Sequence, residues 1–198
     1  MKKPITVFML IMLLLFLPIF SGCISSNDPY FKTFTFPDGL VNYSFEYSSK
    51  YKVKEHYTDR RYPGNEFQAV TLIGQFLDKV NPYTTIKIFI SPPRDARPNK
   101  EEAIARAEYQ ASSFPDYKLL GKSELTVDNI SALRIDFIER NLMPVKRVSK
   151  GPHDDVTLEV DFDTPGFTWM ITMTSDLSTA DADKPDFEHI LQTFKILN

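Results

Sequence analysis

The chain has 198 residues, with 23 Lys and Arg against 26 Asp and Glu, one cysteine, and aromatics at 13% of positions. That length suffices for one domain with a core of its own. An acidic balance without a basic stripe excludes a phosphate-neutralising nucleic-acid binder, and a lone cysteine excludes an internal disulfide.

The first residues differ from the rest. Lys2 and Lys3 are the only charges before Cys23; residues 5–20 are uncharged and almost wholly apolar, and Ser21 and Gly22 then lead into Cys23. A basic start, an apolar run and small residues before a break make an export signal. As a helix the run reaches roughly 24 Å, short of the roughly 30 Å hydrocarbon core, and Pro18 argues against a permanent span. Phe20-Ser21-Gly22-Cys23 resembles the lipobox of prokaryotic lipoproteins, although that family usually has an aliphatic residue where Phe20 stands. The resemblance implies a diacylglyceryl thioether on Cys23, with two chains anchoring far better than one. A cleaved secretory signal and an uncleaved anchor helix are the alternatives. The expected organisation is a signal over 1–22, a lipidated Cys23 and polar tether over 23–29, and a domain over 30–198. Without Lys2 and Lys3 the remainder carries 21 basic against 26 acidic residues.

Residues 31–36 and 41–47 read as strands split by Pro37-Asp38-Gly39, and the second alternates strictly, with Val41, Tyr43, Phe45 and Tyr47 on one face. Residues 51–57 form another alternating strand, and 60–65, with Pro63-Gly64, a loop. Strands are predicted over 67–77 and 84–90, followed by a stiff loop at Pro92, Pro93 and Pro98. Asn99 and Glu102 have capping-box spacing, Ala103, Ile104, Ala107 and Ala111 share a helix face, and Pro115 ends that helix. Four more strands follow over 118–127, 130–139, 157–162 and 167–174, the last two joined by a turn at Asp163-Thr164-Pro165-Gly166. A helix starting at Asp183 and Pro185 carries Phe187, Ile190, Leu191 and Phe194 at i, i+3, i+4, i+7. Antiparallel strands with two separated helices imply an α+β sandwich; a pure β-sandwich with a terminal helix is the alternative.

The order of these pieces resembles the PsbP/Mog1-like family over nearly all of the exported part. The opening NYSFEYSSKYKV, the strand TTIKIFI, the helix NKEEAIARA, the strand SALRIDFIE, the hairpin TLEVDFDTPGFTWMITMTS and the closing DFEHILQTFKIL carry the likeness. Its most specific parts are Phe45-Glu46-Tyr47, the strand containing Trp169, and Phe194-Lys195-Ile196. The resemblance implies a central antiparallel sheet flanked by helices, an α/β/α sandwich, with no shared catalytic machinery. Members named for photosystem II bind that complex, Mog1 binds a small GTPase, and many prokaryotic relatives are lipoproteins. No partner-binding residue of either branch matches a motif here.

His56, His153 and His189 lack HxH or HExxH spacing. His153, Asp154 and Asp155, with Asp161 and Asp163 nearby, are weak candidates for a Ca²⁺ or Mn²⁺ site; a solvated loop is the plainer reading. No GxSxG elbow, triad spacing or glycine-rich phosphate loop occurs, so no catalytic residue and no cofactor is assigned. Asp181 and Asp183 read as helix-start charges. Phe167, Trp169 and Ile171 share one strand face, with core packing preferred over a ligand pocket, and Arg60-Arg61 and Lys146-Arg147 read as solvated. His56 and His189 read as surface histidines. Asn42 and Asn129 head sequons. The expectation is a non-catalytic, lipid-anchored extracytoplasmic protein that docks a membrane or envelope protein through a sheet edge or loop. A small-ligand or divalent-metal binding domain is the alternative.

Overall fold

Alternation sets the first strands. In Asn42–Ser48 (β2) Tyr43, Phe45 and Tyr47 are buried while their neighbours are not, the mark of a sheet with one dry face. The computed structural model describes residues 30–37, 39–61, 66–74, 84–93, 99–141 and 153–197. The leader, Cys23 and the tether lie outside them, as do Lys146 and Arg147. Phe31–Phe36 (β1), β2 and Lys195–Leu197 (β10) form a three-stranded antiparallel sheet in the order β1-β2-β10.

A second sheet takes seven strands: Tyr51–Asp59 (β3), Phe67–Gly74 (β4), Thr85–Ser91 (β5), Tyr117–Val127 (β6), Ile130–Asn141 (β7), His153–Thr164 (β8) and Phe167–Asp176 (β9). They pair antiparallel in the order β3-β4-β5-β9-β8-β7-β6. Helix Asn99–Ser113 (α1) packs on β6, β7 and β8 over a small cluster of Ala103, Ala107, Leu133 and Ile135. Helix Ala180–Thr193 (α2) and the three-stranded sheet enclose the main core with the large sheet's other face. The expected antiparallel sheet flanked by helices is the one observed, with a small second sheet beside α2.

The three segments that carry the family resemblance meet in this core. Phe194 ends α2 and is fully buried; its ring lies 5.4 Å from Tyr43, 6.2 Å from Phe45 and 5.6 Å from Trp169. Trp169 stacks on Phe162 at 5.4 Å, and its indole N–H donates to Thr164 Oγ1 at 2.9 Å. A buried tryptophan thus keeps a partner for its polar edge. Trp169 is core, as its strand face implies.

Four local features differ from expectation. β8 begins at His153 instead of 157, because its pairing with β7 runs on to Asn141↔His153. α2 begins at Ala180, with Pro185 inside it, since Ala182 and Asp183 N–H already bond the Thr179 carbonyl at 3.0 and 3.3 Å. Ala111, assigned to the packed face of α1, is exposed. Finally β10 was not expected: three residues are too few to show a period. It is held by β2 and by Asp128, which takes the Ile196 N–H at 2.9 Å and the Lys195 ammonium at 2.8 Å.

Candidate functional site

The sequence's weak metal candidates do not converge. Alternation along β8 puts His153 and Asp155 on one face, with Nε2 and Oδ1 3.3 Å apart, and Asp154 on the other, exposed. These residues open a strand and are not the expected loop. Among the described residues no group of three or more His, Cys, Asp or Glu side chains is placed to hold a metal ion. His189 is engaged, stacked on Phe31 at 3.9 Å with its Nε2 3.1 Å from Glu46. His56 is exposed at its strand position, edge-on to Phe34 and Phe36. Arg61 is paired: its Nε lies 3.0 Å from both Asp59 oxygens.

Asp183 is more than a helix-start charge. It is buried, and its carboxylate accepts from Ser175 Oγ at 2.7 Å, from Thr84 Oγ1, and from Lys50 Nζ at 3.1 Å. Lys50 also pairs with Asp186. Burial and these two carboxylates push the Tyr51 hydroxyl up. Burial works against the Lys50 ammonium, but Asp186 and Asp183 outweigh it, and its pKa is raised. These contacts join the start of α2 to Lys50, Thr84 and Ser175, and so fix the helix to the sheet.

The described surface has a second kind of feature at the C-terminal end of α1. Pro115 stops the helix, and Phe114 N–H still reaches the Gln110 carbonyl at 2.9 Å. The chain then reverses: Tyr117 N–H donates to the Phe114 carbonyl at 3.1 Å, with Pro115 at the turn position that suits its fixed φ. Arg140 N–H, bonded to the Asp116 carbonyl at 3.1 Å, ties this turn to β7. The result is a cavity of about 310 Å³ lined by Gln110, Phe114, Asp116, Tyr117, Glu139 and Arg140.

Its walls are aromatic and its charge is unbalanced. Phe114 is 53% exposed and Tyr109, one turn back on α1, is 64% exposed, their rings edge to face at 6.3 Å. Tyr117 is 92% buried, stacked on Phe137 at 4.8 Å, and its hydroxyl has no hydrogen-bond partner. Burial and nearby Glu159 push that hydroxyl up to about 12. Glu139 pairs in register with Tyr117 on one side and Asp155 on the other. Partial burial and the Asp155 charge raise its pKa, as expected for a carboxylate facing another carboxylate. Among the lining residues two carboxylates, Asp116 and Glu139, outnumber the one cation, Arg140, and nearby Arg106 pairs with Glu159. None of these pocket residues was singled out in the sequence, because the site exists only once β7 lies beside the turn after α1. Pro115 was the one signal that marked the place.

An antiparallel sheet between helices, with the family-resemblance segments meeting in its core, defines a PsbP/Mog1-like fold. Similar solved structures include LpqN of Mycobacterium tuberculosis, described as involved in cell envelope biogenesis, at 12% identity and a TM-score of 0.50 over 86% of this chain and 94% of that one. The cyanobacterial PsbP protein CyanoP of Synechocystis sp. PCC 6803 aligns at 12% identity and TM-score 0.49, over 90% of this chain and 99% of that one. PA94 of Pseudomonas aeruginosa, a protein of unknown function and putative regulator, aligns at 14% and 0.47, over 70% and 95%. No family model and no curated protein matches the sequence.

Proposed function

We propose that this chain is a non-catalytic docking module, tethered outside the cytoplasm by acyl chains on Cys23, that binds a protein of the cell envelope through the C-terminal end of α1. The observation that carries the docking role is the pair Tyr109 and Phe114. Two large rings stand more than half exposed, edge to face, and one of them, Phe114, lines a cavity. Aromatic anchors beside a pocket are the residues that protein interfaces exploit most, because they bury much area while losing few rotamers.

The tether reading rests on the leader, whose order of charge, apolar run and small residues before Cys23 fits lipidation. It is supported by the envelope role described for LpqN, which shares the fold. Among the described residues no helix is long and apolar enough to cross a membrane.

Quantitative co-purification from native membranes tests the docking role. The wild-type chain is compared with a Tyr109→Ser/Phe114→Ser variant, whose exposed positions leave the core intact. One polypeptide is expected with the wild type and is lost, at equal recovery and equal thermal stability, with the variant. Identical recoveries from both would refute a docking role for this surface.

A further inference from the structure

Among the described residues Glu139 has no ion pair. Its carboxylate stands between the Tyr117 ring and the Asp155 carboxylate in a cross-strand row, and burial plus Asp155 make the charged form costly. On the neighbouring strand the Tyr117 hydroxyl is buried without a hydrogen-bond partner among the described residues. Gln110, Phe114, Asp116 and Arg140 complete the lining. A guest that satisfies these features carries positive charge for Glu139, a flat face for the rings, and spare hydrogen-bonding capacity. A guanidinium has all three: it pairs with a carboxylate through two parallel N–H bonds, stacks on aromatic faces and is lightly hydrated for an ion.

We propose that the pocket between Phe114, Tyr117 and Glu139 receives an arginine side chain of the partner protein, an assignment that rests on the docking role proposed above. Tyr109 and Phe114 then cover the segment that carries the arginine, and Glu139 supplies the charge contact. Charge complementarity argues for this occupant: among the lining residues Asp116 and Glu139 outnumber Arg140, and nearby Arg106 already holds Glu159. The cavity volume of about 310 Å³ exceeds what one guanidinium and its stem need, leaving space for water or part of a neighbouring residue.

The test uses the full chain in neutral maltoside micelles, so that no headgroup cation competes. Two capped tripeptides are titrated, glycyl-arginyl-glycine and the isosteric glycyl-citrullyl-glycine, and the ring resonances of Phe114 and Tyr117 are followed by NMR. The arginine peptide is expected to shift both rings and to bind at least about tenfold more tightly than the citrulline peptide. The preference is expected to vanish in Glu139→Gln and to weaken with added salt. Equal binding of the two peptides, or a preference for arginine that survives Glu139→Gln, would overturn the assignment. Either outcome leaves the docking role to its own co-purification test; a partner lost from the Tyr109→Ser/Phe114→Ser variant, with no arginine preference, refutes the guest and keeps the surface.

Discussion

Asp183 Oδ2 accepts the Ser175 hydroxyl at 2.7 Å, joining the first turn of α2 to the end of β9 beneath the protein surface. Thr84 Oγ1 bonds the same oxygen and Lys50 the other, so one carboxylate ties together four segments of the chain. Replacing Asp183 by Ala removes the acceptor for several buried donors and is expected to cost about 3 kcal/mol in denaturant unfolding. Lys50→Ala is expected to cost about 1 kcal/mol or less, since the lysine is 40% exposed and the hydroxyl donors to Asp183 remain. Equal losses for the two would mean that the ion pair, not the hydroxyls, holds the helix.

Phe194 is the keystone between the two sheets, with four aromatic neighbours at centroid distances up to 6.3 Å. Phe194→Ala leaves a cavity where little can relax and is expected to cost about 3–5 kcal/mol. Phe194→Leu keeps most of the volume and is expected to cost less than half of that. Thermal unfolding followed by near-ultraviolet circular dichroism of Trp169 reads both.

Asp128 has φ 47 and Asn129 φ 65, the left-handed pair that closes the β6–β7 hairpin. Burial of Asp128 opposes its charge, but Lys195 and the Ile196 N–H outweigh that and hold its pKa below the ordinary value. A carboxylate lowered on folding stabilises above its unfolded pKa, about 3.9, and that stability is lost as pH falls through the folded value. Acid titration of stability is therefore expected to be shallower below about pH 4 in Asp128→Asn than in the wild type. Asp128→Gly, which relieves the left-handed backbone, is expected to unfold less readily than Asp128→Ala at pH 7 although both lose β10's contacts.

Glu139 has the opposite sign. Its pKa is raised on folding by burial and by Asp155, so the folded state is favoured below the unfolded pKa and loses that advantage as pH rises through the folded one. Glu139→Gln is expected to raise the melting temperature at pH 7 and to leave it unchanged near pH 3. A gain in stability from removing a charge that burial and Asp155 disfavour is the behaviour of a residue kept for binding.

Much of the fold was legible because its strands alternate over long stretches. β1 is read at its full span, and β2, β3 and β9 to within two residues at each end, since one face of each is aromatic or aliphatic. β8 was read short because its first residues, His153 to Asp155, are polar; only pairing with β7 makes them strand. The start of α2 was misplaced for a related reason: Asp183 and Pro185 look like start signals, yet Asp183 serves a tertiary contact three residues into the helix. The pocket was illegible because Tyr117 and Glu139 are far apart in sequence and meet only through β6–β7 register. Exposure of Tyr109 and Phe114, too, is a property of how α1 lies on the sheet.

The most direct measurement places a photo-crosslinking amino acid at position 114, and in a second strain at the exposed Lys32 of β1, in the native host's membranes. The account predicts one discrete protein adduct from position 114, suppressed by Glu139→Gln, and none from position 32. No adduct from position 114, or the same adducts from both positions, would contradict it.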